Sequence, residues 1–143
     1  AAHAGFVKAR YANWSATADA LASQRRLGSA DASRLHDLFE FGRLTGNTDM
    51  HSGNASLWVA GHSLREIVQG RFALAPVYDM LPMRWKPDPM WGLPDFAPFE
   101  VDLIRATLPV RQAARDFWQS LAAHANISAA LRAVAEVMAT RMG

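Results

Sequence analysis

The residues of this sequence that are best suited to chemistry are Asp49 and Asn54, which are separated by four residues in the stretch NTDMHSGN. A carboxylate at the first position can accept a hydrogen bond from a hydroxyl group and orient it toward a phosphate. An asparagine five residues later can offer a neutral oxygen to magnesium, which takes only one or two protein carboxylates. A neutral ligand suits such a site because phosphates already bring negative charge. The spacing therefore indicates phosphoryl transfer.

A magnesium site of this kind needs a second protein ligand, normally an aspartate that follows the loop by way of a hairpin. Asp79 ends the strand-like stretch FALAPVYD, so the chain order is helix, loop, strand, turn, strand, aspartate. The D-x-x-x-x-N spacing alone is common by chance, and either Asp49 or Asp79 could instead be a turn residue that bonds its own backbone. The loop, the hairpin and Asp79 in this order are a more specific signal than any one of them alone, and together they favour phosphoryl transfer.

The elements before the loop are predicted to be helical. Apolar residues at helical spacing predict one helix over residues 4–25 and another over residues 31–45. We expect Gly28 to cap the end of the first helix, and Ser29 or Asp31 to cap the beginning of the second.

After the loop, the stretches NASLWVA and RFALAPVYD, separated by GHSLREIVQG, predict a β-hairpin. All seven prolines lie in residues 76–109, which predicts an extended segment there. Its Trp85, Trp91 and Phe96 could line a substrate groove, but the preferred interpretation is that they pack onto the domain or onto a missing part of the protein. Two further helices are predicted over about residues 109–124 and from Ser128 onward. The predicted fold is mainly α, with one small β-hairpin next to the loop.

The composition limits the classes of protein that the chain can belong to. With 143 residues, half of them hydrophobic, the chain has the size of one ordinary domain. It has no cysteine, which agrees with a cytoplasmic location. No apolar run approaches the roughly 20 residues that cross a bilayer, so we expect no membrane partner. The net charge of +2 is too small to indicate nucleic-acid binding by itself.

Two other groups of polar residues are weaker candidates. His51 and His62 could bind a metal together with Asp49, but their spacing is not typical of a zinc site. Arg25 and Arg26, with the basic residues near the N-terminus, are interpreted as a solvated helix face.

The loop and the hairpin together resemble a known family. The segments GNTDMHSGN and LAPVYDMLP are similar to the C-terminal lobe of the HipA-like serine/threonine kinases. HipA itself is the toxin of a bacterial toxin–antitoxin pair. The family's loop has an aspartate, a histidine two residues later and an asparagine three residues after that, here Asp49, His51 and Asn54. Its counterpart of the kinase DFG segment is a Tyr-Asp pair, here Tyr78 and Asp79.

The resemblance implies a helical kinase-like C-lobe that transfers a phosphoryl group from ATP, with Mg²⁺, to a protein hydroxyl. It implies that Asp49 is the catalytic base and that His51 is a structural or positioning residue of the catalytic loop. It also implies that Asn54 and Asp79 bind the magnesium ion of the ATP complex. Some members are associated with a helix-turn-helix partner or an attached DNA-binding segment, and thereby with transcription regulation. The matching motifs cover about residues 38–82.

The chain departs from the family because no small, ATP-covering lobe is present. It has no glycine-rich phosphate loop, and neither Lys8 nor Lys86 falls on a strand where an ATP-phosphate lysine belongs. We therefore expect residues 1–143 to be the C-terminal lobe of a longer kinase, with little or no activity alone. Its expected partners are the missing N-terminal lobe, a protein substrate, and a DNA-binding antitoxin or attached helix-turn-helix segment. The alternative is a non-catalytic interaction or regulatory module of a HipA-like transcription regulator.

Overall fold

The computed structural model of the protein describes residues 12–61 and 63–143. Their contacts form two compact units. The first contains the described residues up to Phe39 and those from Asp49 to Met80, and the second contains Glu40–Thr48 and Leu81–Gly143. The helices and strands of the described ranges are α1 (Trp14–Ser23), α2 (Ser29–Thr45), β1 (Leu57–Val59), α3 (Leu64–Val68), β2 (Phe72–Leu74), α4 (Leu108–Ala123) and α5 (Ala129–Arg141).

The mainly α fold with one small antiparallel hairpin is therefore confirmed. Residues 4–11 of the first predicted helix lie outside the described residues, and α1 begins at Trp14. None of the helices in the described ranges is both long and apolar enough to span a membrane.

The end of α1 differs from the prediction. The N–H groups of Arg25 and Arg26 donate to the carbonyls of Ala22 and Leu21, both at 2.9 Å, which is the Schellman pattern of a helix end. Arg25 therefore occupies the left-handed position that glycine normally fills, with a φ of 55°. The expectation that Gly28 caps this helix was wrong, because the helix ends several residues earlier.

The beginning of α2 also differs from the prediction. The Gly28 carbonyl accepts the N–H of Ala32 at 2.9 Å, so Gly28 stands at the position just before the helix. Ser29 and Asp31 lie inside the helix rather than at its cap. The Asp31 carboxylate instead accepts the backbone N–H of Leu74 at 2.8 Å and thereby ties α2 to β2.

The hairpin has a register that is fixed at several points. Leu57 pairs with Leu74 and Val59 with Phe72. The Ala75 N–H extends the pairing by donating to the Ser56 carbonyl at 3.1 Å. Between the strands, α3 begins with a capping box, a helix-start pattern in which Ser63 and Glu66 bond each other's backbone N–H groups. The buried core of this first unit consists of Trp14, Ala18, Leu21, Leu27, Ala32, Leu35 and Met50.

The second unit is built around aromatic residues. Trp118 is fully buried, and its indole N–H donates to the Leu44 carbonyl at 2.9 Å. From the proline-rich segment, Trp85 is buried and Phe96 packs against the same core, as the preferred interpretation predicted. Trp91 is 84% exposed, so it does not pack onto the domain, and its packing onto another part of the protein stays a prediction.

The exposure of Trp91 has a local cause. Asp88 and Gly92 exchange two backbone hydrogen bonds of 2.7 and 2.8 Å, and the Asp88 carboxylate accepts the N–H groups of Met90 and Trp91. Gly92 provides the positive φ of 78° that closes the turn. The side chains of Met90 and Trp91 therefore project into solvent from a tight turn.

Replacing Gly46 with alanine is expected to lower the free energy of unfolding by about 1–3 kcal/mol. Gly46 follows α2 at the left-handed position with a φ of 78°, and the N–H of Asn47 closes the turn on the Gly42 carbonyl at 2.8 Å. A β-carbon at Gly46 would lie 3.3 Å from the Phe99 ring. Urea denaturation of the 143-residue chain measures the loss.

The matched control is Gly92→Ala, because Gly92 has the same φ but no atom within 4 Å of the added carbon. Both variants carry the conformational cost, and only Gly46→Ala adds crowding against Phe99. Equal losses in the two variants would contradict this account.

Candidate active site

The loop from Asp49 to Asn54 is fixed to the core of the first unit at two points. The Met50 side chain is buried in that core. The indole N–H of Trp14 donates to the His51 carbonyl at 2.8 Å, which links residues 37 positions apart. Because Met50 points inward, Asp49 is only half-buried and His51 is exposed. The loop thus presents polar side chains on a backbone that the core holds in place.

The imidazole ring of His51 contacts the carboxylate of Asp49. Its Nε2 atom lies 3.3 Å from Oδ1 of Asp49. The Nδ1 atom accepts the backbone N–H of Gly53 at 3.0 Å, so the neutral ring carries its proton on Nε2 and directs it at Asp49. Gly53 is required for this arrangement, since a β-carbon there would lie 2.8 Å from the His51 ring.

Asn54 closes the loop. Its side-chain Nδ2 donates to the Asp49 carbonyl at 2.8 Å, and its backbone N–H donates to the His51 carbonyl at 3.0 Å. Because the acceptor is a carbonyl oxygen, the bonded atom of the amide is its nitrogen. The amide oxygen Oδ1 is thereby left as the donor atom that a hard cation such as magnesium prefers.

Asp79 follows β2. The hairpin is paired as far as Ser56 and Ala75, so Asn54, two residues before Ser56, and Asp79, four residues after Ala75, both belong to its open end. Asp79 is exposed and has a φ of 56°, which is uncommon for a residue other than glycine. An outlier of this kind is a reason to suspect function at the residue.

The oxygen donors at this end of the hairpin fit magnesium better than a transition metal. Over residues 12–61 and 63–143 there is no group of three or more histidine, cysteine, aspartate or glutamate side chains that could hold a metal ion. Magnesium is usually bound through one or two carboxylates, with phosphates and water completing its octahedron. The amide of Asn54 and the carboxylate of Asp79 are donors of that kind. His62, the weaker metal candidate, lies outside the described residues.

A known protein family matches almost the whole length of the chain. The profile of the HipA-like C-terminal domain matches residues 2–142. This chain belongs to the HipA-like C-terminal domain family. The family assignment from the loop and the Tyr-Asp motif is confirmed.

One curated relative supports the same assignment. Over 130 residues the chain is 33% identical to Toxin YjjJ of Escherichia coli (strain K12). The matched region covers 88% of this HipA-like chain and 28% of the toxin. The chain therefore spans 28% of the length of the curated relative that it matches. No solved structure matches the chain.

Sequence reasoning missed three residues that support the loop of this HipA-like domain. Trp14 and Met50 hold its backbone, and Gly53 makes room for the His51 ring. Met50 left a local signal, since it is an apolar residue between two polar ones in a polar loop. Trp14 left none, because its partner is 37 residues away and no local pattern connects the two.

Proposed function

We propose that this HipA-like domain is the C-terminal lobe of a longer serine/threonine protein kinase that transfers a phosphoryl group from Mg-ATP to a protein hydroxyl. The proposal rests on the contacts that hold the side chains of the loop from Asp49 to Asn54 in place. One oxygen of the Asp49 carboxylate faces the proton of His51, and Asn54 bonds the Asp49 backbone. The loop thus has a fixed carboxylate and a fixed amide five residues apart, as the chemistry requires.

Asp49 is the proposed catalytic base. Its carboxylate would accept a hydrogen bond from the acceptor hydroxyl and take the proton as the new bond to phosphorus forms. His51 is a positioning residue, since the 3.3 Å contact from Nε2 restricts rotation of the carboxylate. The buried Met50 and the bond from Trp14 limit movement of the loop as a whole. Positioning of this kind accounts for much of the catalysis in phosphoryl transfer.

Asn54 and Asp79 are the proposed magnesium ligands, through Oδ1 of the amide and through the carboxylate. When bound, Mg-ATP supplies the phosphoryl group and the cation that neutralises charge on its phosphates. The hydrogen bond from Nδ2 to the Asp49 carbonyl determines which atom of the Asn54 amide is offered to the cation. Asp79 has the left-handed conformation, with a φ of 56°, at the residue where the ligand is needed.

The relative's length and name extend the proposal to the whole protein. Because the chain spans 28% of Toxin YjjJ, we place an N-terminal, ATP-covering lobe elsewhere in the longer protein. We propose that residues 1–143 form one kinase lobe and have little or no activity alone. We further propose that the protein acts in the cytoplasm as part of a toxin–antitoxin system that affects transcription. A DNA-binding antitoxin or attached helix-turn-helix segment would then be its partner.

The test replaces Asp79 in the longer protein and measures Mg²⁺-dependent ATP binding and autophosphorylation. Asp79→Asn is the sharper variant, because asparagine also accepts the left-handed conformation, so the charge is lost without added strain. Loss of a metal ligand is expected to weaken ATP binding at fixed Mg²⁺ by at least about tenfold. Asp116→Asn is the matched control on the exposed surface of α4, where the Gln112 side chain donates to the carboxylate at 2.8 Å.

The non-catalytic module makes a different prediction in the same experiment. If the wild-type protein and Asp79→Asn are equally inert toward ATP while partner binding persists in both, the kinase proposal fails. The domain would then be an interaction or regulatory module.

A further inference from the structure

A pocket of about 380 Å³ in the first unit is lined by three arginines from two separate parts of the chain. Arg25 and Arg26 come from the turn after α1, and Arg71 comes from the residue before β2. Among the described residues that line the pocket none is acidic, and the remaining lining includes the apolar residues Leu27 and Phe72. The pocket is therefore a concave site with three positive charges and an apolar part.

The charges of this three-arginine pocket are not neutralised locally. Within the described part of the chain, none of the guanidinium groups of Arg25, Arg26 and Arg71 forms an ion pair or a side-chain hydrogen bond. Three like charges that face one cavity repel each other. An anion in the cavity would replace this repulsion with attraction.

The backbone under the arginines is held rigidly. The Arg26 carbonyl accepts the N–H of Phe72 at 2.7 Å, and the Arg71 carbonyl accepts the N–H of Ala60 at 2.9 Å. The Arg26 guanidinium lies against Gly70, with its central carbon 3.7 Å from where a β-carbon of Gly70 would stand. A site whose backbone is already ordered loses less entropy when a ligand binds.

Arg25 occupies a position that its residue type disfavours. It is the left-handed residue at the end of α1, with a φ of 55°. At the equivalent position after α2 the chain has Gly46, the residue without a β-carbon to strain. Strain retained at a side chain that lines a cavity is a reason to suspect a functional role for that side chain.

We propose that the three-arginine pocket binds a phosphate monoester dianion. The planar guanidinium group bonds phosphate oxygens in pairs, which makes arginine the preferred partner of this group. Leu27 and Phe72 can contact the carbon atoms that carry the phosphate. The volume lies within the range of small-molecule sites. The proposal does not depend on phosphotransfer by the domain.

Duplex nucleic acid fits these observations less well. A protein that binds a duplex through its phosphates contacts several of them along a surface, roughly 6–10 in strong cases. Here three charges converge on one cavity, and the net charge of the chain is only +2. Arg25 and Arg26 are exposed, as the sequence interpretation expected, but they lie in the turn after α1 rather than on a helix face, and that interpretation did not connect them with Arg71.

The test titrates the ¹⁵N-labelled 143-residue chain with O-phosphoserine, inorganic phosphate and sulfate in turn, and follows amide resonances by NMR. O-phosphoserine is expected to shift the signals of Gly28, which lines the pocket, and of Gly70, which lies next to the Arg26 guanidinium. Sulfate is expected to bind more weakly. Tighter binding of O-phosphoserine than of inorganic phosphate would point to a phosphorylated side chain as the ligand, and equal binding to a free phosphate. Either result supports the site.

Two variants test the arginines. Arg71→Gln and Arg25→Gly are each expected to weaken binding of O-phosphoserine by about tenfold or more, because each loses charge-assisted hydrogen bonds. Arg25→Gly should also leave the Tm unchanged or raise it, since glycine suits the left-handed position. Poor folding therefore cannot explain its loss of binding. Arg105→Gln, an exposed arginine of the second unit, is the matched control and should bind as wild type.

Four results would overturn the proposal. The first is that no probe shifts the pocket signals. The second is that Arg71→Gln and Arg25→Gly bind O-phosphoserine as tightly as wild type. The third is that Arg105→Gln loses as much affinity as they do. The fourth is that a short DNA duplex displaces O-phosphoserine and loses affinity in the same variants, which would assign the pocket to nucleic acid.

Discussion

Replacing Asp49 with asparagine in the longer protein is expected to lower the rate of phosphotransfer by about 10²–10⁴-fold, the usual contribution of a general base. Asparagine keeps the size of the side chain and an oxygen that can accept the proton of His51 Nε2, which lies 3.3 Å from Asp49 Oδ1. It loses the basicity that the acceptor hydroxyl needs. A protein-phosphorylation assay at saturating Mg-ATP measures the rate, and ATP binding measured separately should change little.

The control for this prediction is again Asp116→Asn, which makes the same chemical change on the exposed face of α4. His51→Gln is the informative companion. It removes the imidazole that faces Asp49 but leaves the base in place, so its loss of rate should be smaller than that of Asp49→Asn. Full activity of Asp49→Asn would remove Asp49 from the chemistry and with it the main support for the kinase proposal.

Replacing Trp118 with alanine is expected to lower the free energy of unfolding by about 3–5 kcal/mol, the range for a buried large aromatic residue. Trp118 is fully buried, and its ring centroid lies 5.1 Å from that of Phe117 and 6.0 Å from that of Trp85. The substitution removes these contacts and leaves a cavity in the second unit. It also removes the donor to the Leu44 carbonyl. Urea denaturation of the 143-residue chain measures the change.

Two further variants separate the causes of that loss. Trp118→Phe keeps an aromatic ring but leaves the buried Leu44 carbonyl without its donor, which costs about 1–3 kcal/mol. Trp91→Ala makes the identical substitution at a residue that is 84% exposed, and should change stability by no more than about 0.5 kcal/mol. If Trp91→Ala destabilised the chain as much as Trp118→Ala, the assignment of the core would be wrong.

Helix positions in this protein could be predicted well where the apolar pattern was strong. The predicted helix over 31–45 appears as Ser29–Thr45, and the one over 109–124 as Leu108–Ala123. Ser128 caps α5 as expected, with its hydroxyl accepting the Leu131 N–H at 3.2 Å. The apolar pattern of the helix over 109–124 also predicts that Ala113 faces inward, but Ala113 is exposed, so side-chain orientation is predicted less well. Alanine is a weak marker of a buried face because it occurs on every face of a helix.

Taken by itself, the sequence determined the residue types and the spacing of the loop. Asp49, His51 and Asn54 lie within six residues, so the backbone keeps them near each other in most local conformations. Because the Tyr-Asp motif follows the predicted hairpin, the sequence also indicated where Asp79 would lie. These features depend on short-range spacing, which one sequence displays directly, and they were enough to indicate the family.

Only the tertiary structure decided which distant residues meet. The link from Trp14 to His51, the burial of Trp85, and the convergence of Arg25 and Arg26 on Arg71 all depend on contacts between distant segments. The physical reason is that such contacts are selected by how whole elements pack and pair. The bond between the Arg26 carbonyl and the Phe72 N–H joins residues 46 positions apart, and no local pattern around either residue specifies that pairing.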